Sequence, residues 1–295
     1  MPLESVDEMM RRADRSGYAI GYFESWNIES LQGVIDAAEE TRSPIIIGFN
    51  GRFLTQSGRR AAERVSWYGA LGRAAAQTAS VPCGLIFNEC ADDDSIRLAI
   101  TSGFNLVMPD DPSAGYDDFV ARVAGLARYA HERGAAVEAE VGELPCGASG
   151  KIEGDGDLTD AEAAARFVEA TGIDILSVSI GNIHIMVKGE RELDLAQLAK
   201  IRECVSIPLG LHGGTGIPAD SLREAISMGV TKVAYGTYLK QRYLAALRAA
   251  LKSDEVNPHN LLGYGGPEDV MVTGRLAVRD AVLERIELLG CCGRA

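Results

Sequence analysis

Histidine is scarce in this 295-residue chain: there are four, His131, His184, His212 and His259. Long apolar runs are missing too, none approaching the roughly 20 residues of a membrane-spanning helix. No run of Lys or Arg breaks an acidic balance of 29 basic against 42 acidic residues, a formal charge of −13. That balance argues against nucleic acid or an anionic membrane as the main partner. The six cysteines (Cys83, Cys90, Cys146, Cys204, Cys291 and Cys292) show neither disulfide nor zinc-knuckle spacing, as expected in a reducing cytoplasm. The amino-terminal stretch carries acidic residues and no apolar core, so it does not read as a secretory signal. No shift of composition marks a linker, and residues 1–295 are expected to form a single domain.

Against these absences stand 46% hydrophobic and 24% charged residues, a balance that excludes intrinsic disorder. Glycine, at 33, is about one and a half times its usual share. A short β-branched run, a Gly/Asp/Pro turn and a helical pattern then recur along the chain. Strands are expected at 19–23, 45–49, 83–87, 105–108, 136–140, 175–179, 208–211 and 232–235, mostly apolar at consecutive positions, as in parallel strands buried on both faces. Helical patterns lie at 28–41, 59–79, 95–102, 116–133, 160–171, 194–204, 221–228 and 239–251. Residues 159–162 (TDAE) read as a capping box, and Gly103, Gly134, Gly172 and Gly229 as helix stops. Eight such alternations predict a TIM (β/α)8 barrel. A helix from about 268 to 289 forms a C-terminal extension, packed against the barrel or a neighbouring subunit.

Residues 142–157 (GELPCGASGKIEGDGD) interrupt the repeat as a long Gly-rich loop, the kind that serves as a lid or binding loop. In a barrel the active site lies at the carboxyl ends of the strands. There the chain places Asn88-Glu89-Cys90 after strand three, Glu138 and Glu140 in strand five, His184 after strand six and His212 after strand seven. Two imidazoles with carboxylates at one mouth suit a divalent transition metal. His131, at a helix end, and His259, in the C-terminal stretch, read as surface residues. Gly213, Gly214 and Thr215 follow His212, and consecutive glycines let backbone N–H groups turn toward an anion. Lys188, four residues after His184, could add a charge to the same phosphate.

Residues 208–218 (PLGLHGGTGIP), with SIGNIH at 179–184 and KVAYGT at 232–237, resemble the class II, metal-dependent ketose-bisphosphate aldolase family. The similarity runs from the Gly-Tyr-Ala at Gly17 through 37–44 (AAEETRSP) and 137–142 (VEAEVG) to the ending at 287–295 (ELLGCCGRA). The resemblance implies a TIM barrel, homodimers or homotetramers and a cytoplasmic enzyme. It also implies a divalent metal, usually zinc, with Mn, Co, Fe or Mg open because a carboxylate replaces a histidine. The implied reaction is retro-aldol cleavage of a ketose phosphate or related keto compound through a metal-stabilised enediolate.

The departures from the family are local. Its Asp-His-Gly run reads Asn88-Glu89-Cys90 here, and an amide cannot shuttle a proton as the family's Asp does. Either Glu89 joins His184 and His212 as a ligand, or Glu89 is the acid/base and Glu140 completes the metal shell. Glu143 and Glu153, on the Gly-rich loop, are further candidates for proton transfer. Gly181, Lys188, Gly213, Gly214, Thr215, Tyr235 and Thr237 are the expected substrate and phosphate contacts. The family's Asn after strand one is Glu24, its Asn and Asp after strand eight are Ala234 and Gly236, and its Gly after the strand-six His is Ile185. Such clustering around one pocket implies a changed substrate or reaction. A metal-dependent isomerase or epimerase, and a non-catalytic sugar-phosphate-binding barrel, are the other readings.

Overall fold

A computed structural model describes residues 3–111, 113–154 and 156–295. Its parallel strands close into a barrel in chain order: β1 (Ile20–Glu24), β2 (Ile45–Asn50), β3 (Cys83–Cys90), β4 (Leu106–Pro109), β5 (Ala136–Val141), β6 (Ile175–Val178), β7 (Leu209–Leu211) and β8 (Val230–Tyr235). β8 pairs with β1 and completes the ring. Helices α2 (Ile28–Thr41), α4 (Val65–Thr78), α5 (Asp93–Thr101), α6 (Tyr116–His131), α7 (Ala161–Thr171), α8 (Leu195–Cys204), α9 (Ala219–Ser227) and α10 (Thr237–Ala250) follow the strands. Shorter or terminal helices are α1 (Val6–Ser16), α3 (Gly51–Thr55), α11 (Pro258–Leu261) and α12 (Val270–Leu289). This is the expected TIM barrel with its C-terminal helix. Among the described residues no helix is long and apolar enough to cross a membrane.

The uninterrupted apolar runs are explained by burial on both faces. Ile45, Ile46 and Ile47 are all shut off from solvent, as are Leu85, Ile86 and Phe87. α12 covers α2 and α10 of its own chain: Arg275 grips Asp36 at 2.6 and 2.7 Å, and the last residue donates its N–H to the Arg42 carbonyl.

Several expected boundaries move. Residues 59–64 are not helical, because Arg59 turns back onto the carbonyls of Phe53 and Ala61, and α4 starts at Val65. The cap of α7 is Asp160, which accepts from the Ala163 N–H, rather than a Thr159/Glu162 box. Thr159 instead donates to the Val141 carbonyl and accepts from the Ser179 N–H at 2.8 Å, stitching β5 to β6. α9 begins at Ala219, ahead of the expected Ser221. α1 was not expected. Its Val6, Met9, Met10 and Ala13 are buried on one face behind the N-cap Ser5, a helical spacing present in the sequence.

The Gly-rich loop is ordered by backbone pairing, Glu143 with Asp157 and Cys146 with Glu153; Asp155, within it, lies outside the described residues. It is also bonded to the segment after β6, since His184 donates to the Pro145 carbonyl and accepts from the Gly147 N–H, both at 2.9 Å.

Candidate active site

Two register shifts aim the polar side chains. In β3 the pairing with β4 jumps from Phe87–Val107 to Cys90–Pro109, so one extra residue is accommodated at Asn88–Glu89. Glu89 absorbs the bulge with φ 53°, a left-handed conformation that a side chain of this size rarely adopts. A second shift, between β7 and β8, lies beside Lys232. Strand periodicity puts Glu138 and Glu140 on one face of β5, Glu138 deeper and Glu140 nearer the mouth, which retains more exposure.

These devices bring together the four residues expected from the sequence. Glu89 Oε1 lies 3.4 Å from His184 Nε2 and 3.3 Å from His212 Nδ1, and Glu140 Oε2 lies 3.4 Å from that same Nδ1. Such separations are long for hydrogen bonds. They match the edges of a tetrahedral zinc site, whose ligand atoms, at bonds of about 2.0–2.1 Å, stand about 3.3–3.4 Å apart. Glu140 Oε2 is buried and has no hydrogen-bond partner, leaving a lone pair for a cation. Among the described residues no group of three or more His, Cys, Asp or Glu side chains is, as placed, arranged to hold a metal ion. The donor chemistry nonetheless fits a divalent ion.

The charges agree. Burial would push the Glu89 carboxyl up, but His184, His212 and the Asn50 amide, donating at 2.8 Å, bring it well below the ordinary carboxylate range. Burial is the leading influence on Glu140 and raises it. For His212 burial works downward, yet Glu138, Glu140 and Glu89 together raise it. His184 is raised against burial chiefly by Glu89. Carboxylates that favour positive charge on two neighbouring imidazoles favour a cation among them for the same reason.

Beneath the ligands lies a cluster that the sequence reading missed in part. Glu138 is fully buried, accepts from Ser177 Oγ at 2.6 Å and is paired with buried Lys232 at 2.7 Å. Burial alone would raise Glu138, but Lys232 and His212 hold it down to about 2. Its Oε1 faces His212 Nε2 at 3.4 Å, which leaves Nδ1 turned toward Glu89 and Glu140. Asn182 secures the same histidine by donating to its backbone carbonyl at 3.0 Å. A lysine inside an otherwise apolar strand was the available signal.

A cavity of about 280 Å3 opens on the β7/β8 side, lined by Asn88, Gly213, Thr215, Tyr235 and Thr237 among others. Gly213, at φ 69°, sits so close to the Ile183 carbonyl that a Cβ would collide with it. Asn88 Oδ1 and the Tyr235 hydroxyl are buried without partners. Gly214 packs behind, against Tyr235, while Gly181, at φ 98°, faces the backbone at Glu192 rather than the cavity. Lys188 is exposed and does not line it; the cation there is Lys240, paired with Glu24 at 2.5 Å. Glu143 borders a larger cavity of about 630 Å3 on the other side of the two histidines, whereas Glu153 is exposed and borders neither. Outside the mouth, His131 bonds Asp174 at 2.8 Å and His259 stacks on Tyr264, so both are bystanders as expected.

Comparison with known proteins places the chain as a whole. The family model "Fructose-bisphosphate aldolase class-II" matches residues 4–294. The fructose-bisphosphate aldolase of Geobacillus stearothermophilus is 32% identical over 297 residues, covering 100% of this chain and 99% of the relative. A probable fructose-bisphosphate aldolase of Bacillus subtilis is also 32% identical, over the full length of both. Among solved structures, the YdjI aldolase from Escherichia coli K12 superposes with a TM-score of 0.82 at 30% identity, covering 100% of each chain. Enzymes of this kind generally depend on a divalent metal, zinc in most cases. The chain therefore belongs to the class II fructose-bisphosphate aldolase family and is a lyase of that class.

Proposed function

We propose that the protein is a metal-dependent aldolase that cleaves a ketose phosphate, or a related keto compound, by retro-aldol chemistry, with a substrate altered from that of its namesakes. The observation that carries this reading is the set Glu89 Oε1, His184 Nε2, His212 Nδ1 and Glu140 Oε2, spaced like metal ligands at the floor of two adjoining cavities. Glu89, His184 and His212 would hold the ion, with Glu140 beside them as a fourth donor. A divalent cation held there supplies Lewis-acid polarisation of the substrate carbonyl.

The remaining work falls to the protein's own groups. Glu138, with Oε1 3.4 Å from His212 Nε2, sets a buried negative charge behind that nitrogen and leaves Nδ1 facing the site. Asn88, an amide with an unpartnered oxygen, can accept a hydrogen bond from a substrate hydroxyl but cannot carry its proton. With Glu140 beside the ion, the loop-borne Glu143 is the candidate among the carboxylates bordering the larger cavity for taking and returning a proton. Gly213, Thr215 and the start of α10 at Thr237 form the anion end of the smaller cavity. A homodimer or homotetramer is part of the same reading.

The test combines metal analysis of the purified protein with turnover of ketose phosphates before and after chelation. One divalent ion per chain and two product fragments are expected. A chelated enzyme as active as the untreated one would sink the proposal. A single product of unchanged mass would instead point to an isomerase.

A further inference from the structure

The two cavities that meet at His184 and His212 differ in charge and size. The smaller, of about 280 Å3, holds the Gly213–Thr215 turn, the start of α10, where the Tyr238 N–H donates to Thr215 Oγ1 at 3.2 Å, and a single Lys240–Glu24 ion pair. The larger, of about 630 Å3, carries Asp110, Asp111, Glu143 and Asp157 on its wall. Its guanidinium, Arg52, is already engaged by Asp110 in a close ion pair. Glu140 borders the same space with its buried, unpartnered Oε2. The opposite wall is apolar and aromatic, from Tyr116, Phe119 and Phe167, with the Phe119 and Phe167 rings stacked at 5.9 Å.

A phosphate dianion entering this larger cavity would meet like charges and a cation already neutralised, and like-charge juxtaposition inside a cleft is strongly unfavourable. Hydroxyl groups would meet acceptors in the carboxylates, and the C–H faces of a polyol would meet the rings. Taking the aldolase reading as given, we infer that the half of the substrate leaving as the aldehyde is an uncharged polyhydroxylated chain. On this inference the substrate carries its single phosphate at the other end, by the β7/β8 turn. Asp110 and Glu143 are then specificity-determining residues that exclude a bisphosphate. The cavity's greater volume leaves room for an aldehyde longer than three carbons.

The test is calorimetric binding of two ketohexoses that differ only in a terminal phosphate, a 1-phosphate and a 1,6-bisphosphate, to the metal-loaded enzyme, with product analysis alongside. The 1-phosphate is expected to bind at least tenfold more tightly. Asp110→Asn, which frees Arg52, and Glu143→Gln are each expected to narrow that gap at least threefold. Equal or tighter binding of the bisphosphate, no binding of either ketose, or a gap unmoved by both substitutions would overturn the inference. A preference for the 1-phosphate without fragmentation would leave the inference standing and overturn the aldolase reading instead.

Discussion

Glu24 decides how much positive charge the smaller cavity offers. Its carboxylate takes the Lys240 ammonium at 2.5 Å, and a Cβ at position 236 would strike that carboxylate, so Gly236 is needed where Glu24 stands. Glu24→Gln should lower KM for a phosphorylated ketose roughly tenfold, the worth of one charge-assisted hydrogen bond, with little change in kcat. Steady-state kinetics on the single variant checks this; an unchanged KM would place the phosphate away from Lys240. Among the ligands, His212→Ala should abolish metal binding and lower kcat/KM by more than the roughly 10–100-fold typical of losing an outer partner. Asn88→Ala should be milder, as befits an amide that carries no proton. Metal content, circular dichroism and kinetics on the same samples separate loss of the ion from loss of the fold. His184, His212, Glu89 and Glu140 were legible in the sequence because each ends or follows a strand. Glu24 was legible as a changed pocket position but its partner Lys240 was not, lying 216 residues away, nor was the role of Asn182, which depends on a backbone carbonyl after the neighbouring strand.

At the scale of elements, strained backbone and close turns hold the mouth. Glu89 sits on the β3 bulge, and Ile185, next to His184, has φ 52°, a left-handed conformation that a β-branched residue adopts only when its surroundings enforce it. The enforcement is visible: the Gly-rich loop bonds both the N–H and the carbonyl of His184. Gly213→Ala, which combines φ 69° with a collision against the Ile183 carbonyl, should destabilise the protein by about 2–3 kcal/mol and weaken metal binding at His212. Chemical denaturation read beside metal titration tests the two effects together. Most strand positions could be read from β-branched runs between glycine stops. The bulges could not, since one extra residue leaves no compositional trace. The overextended start of α4 and the missed α1 share a cause: whether a helical pattern becomes a helix depends on what it packs against. Arg59 finds carbonyl partners outside a helix, whereas Met9 and Met10 find the base of the barrel.

For the whole molecule, an ion bound to the folded chain and not to the unfolded one adds stability by mass action. Chelation should therefore lower Tm by about 5 °C or more, and added Zn2+ should restore it. Differential scanning calorimetry at fixed protein concentration reads both changes. Closure of the barrel also joins residues that the chain keeps far apart. Glu138 and Lys232, from β5 and β8, meet with no solvent exposure beneath the histidines. Losing either alone strands a buried charge, at a cost of about 3–5 kcal/mol, whereas exchanging both for well-packed apolar groups can be nearly neutral. The pair therefore acts as a two-key lock on descent: a lineage that turns one key first passes through a chain that barely folds. The rim of this barrel is free to drift residue by residue toward new substrates, while its floor can change only in a paired step.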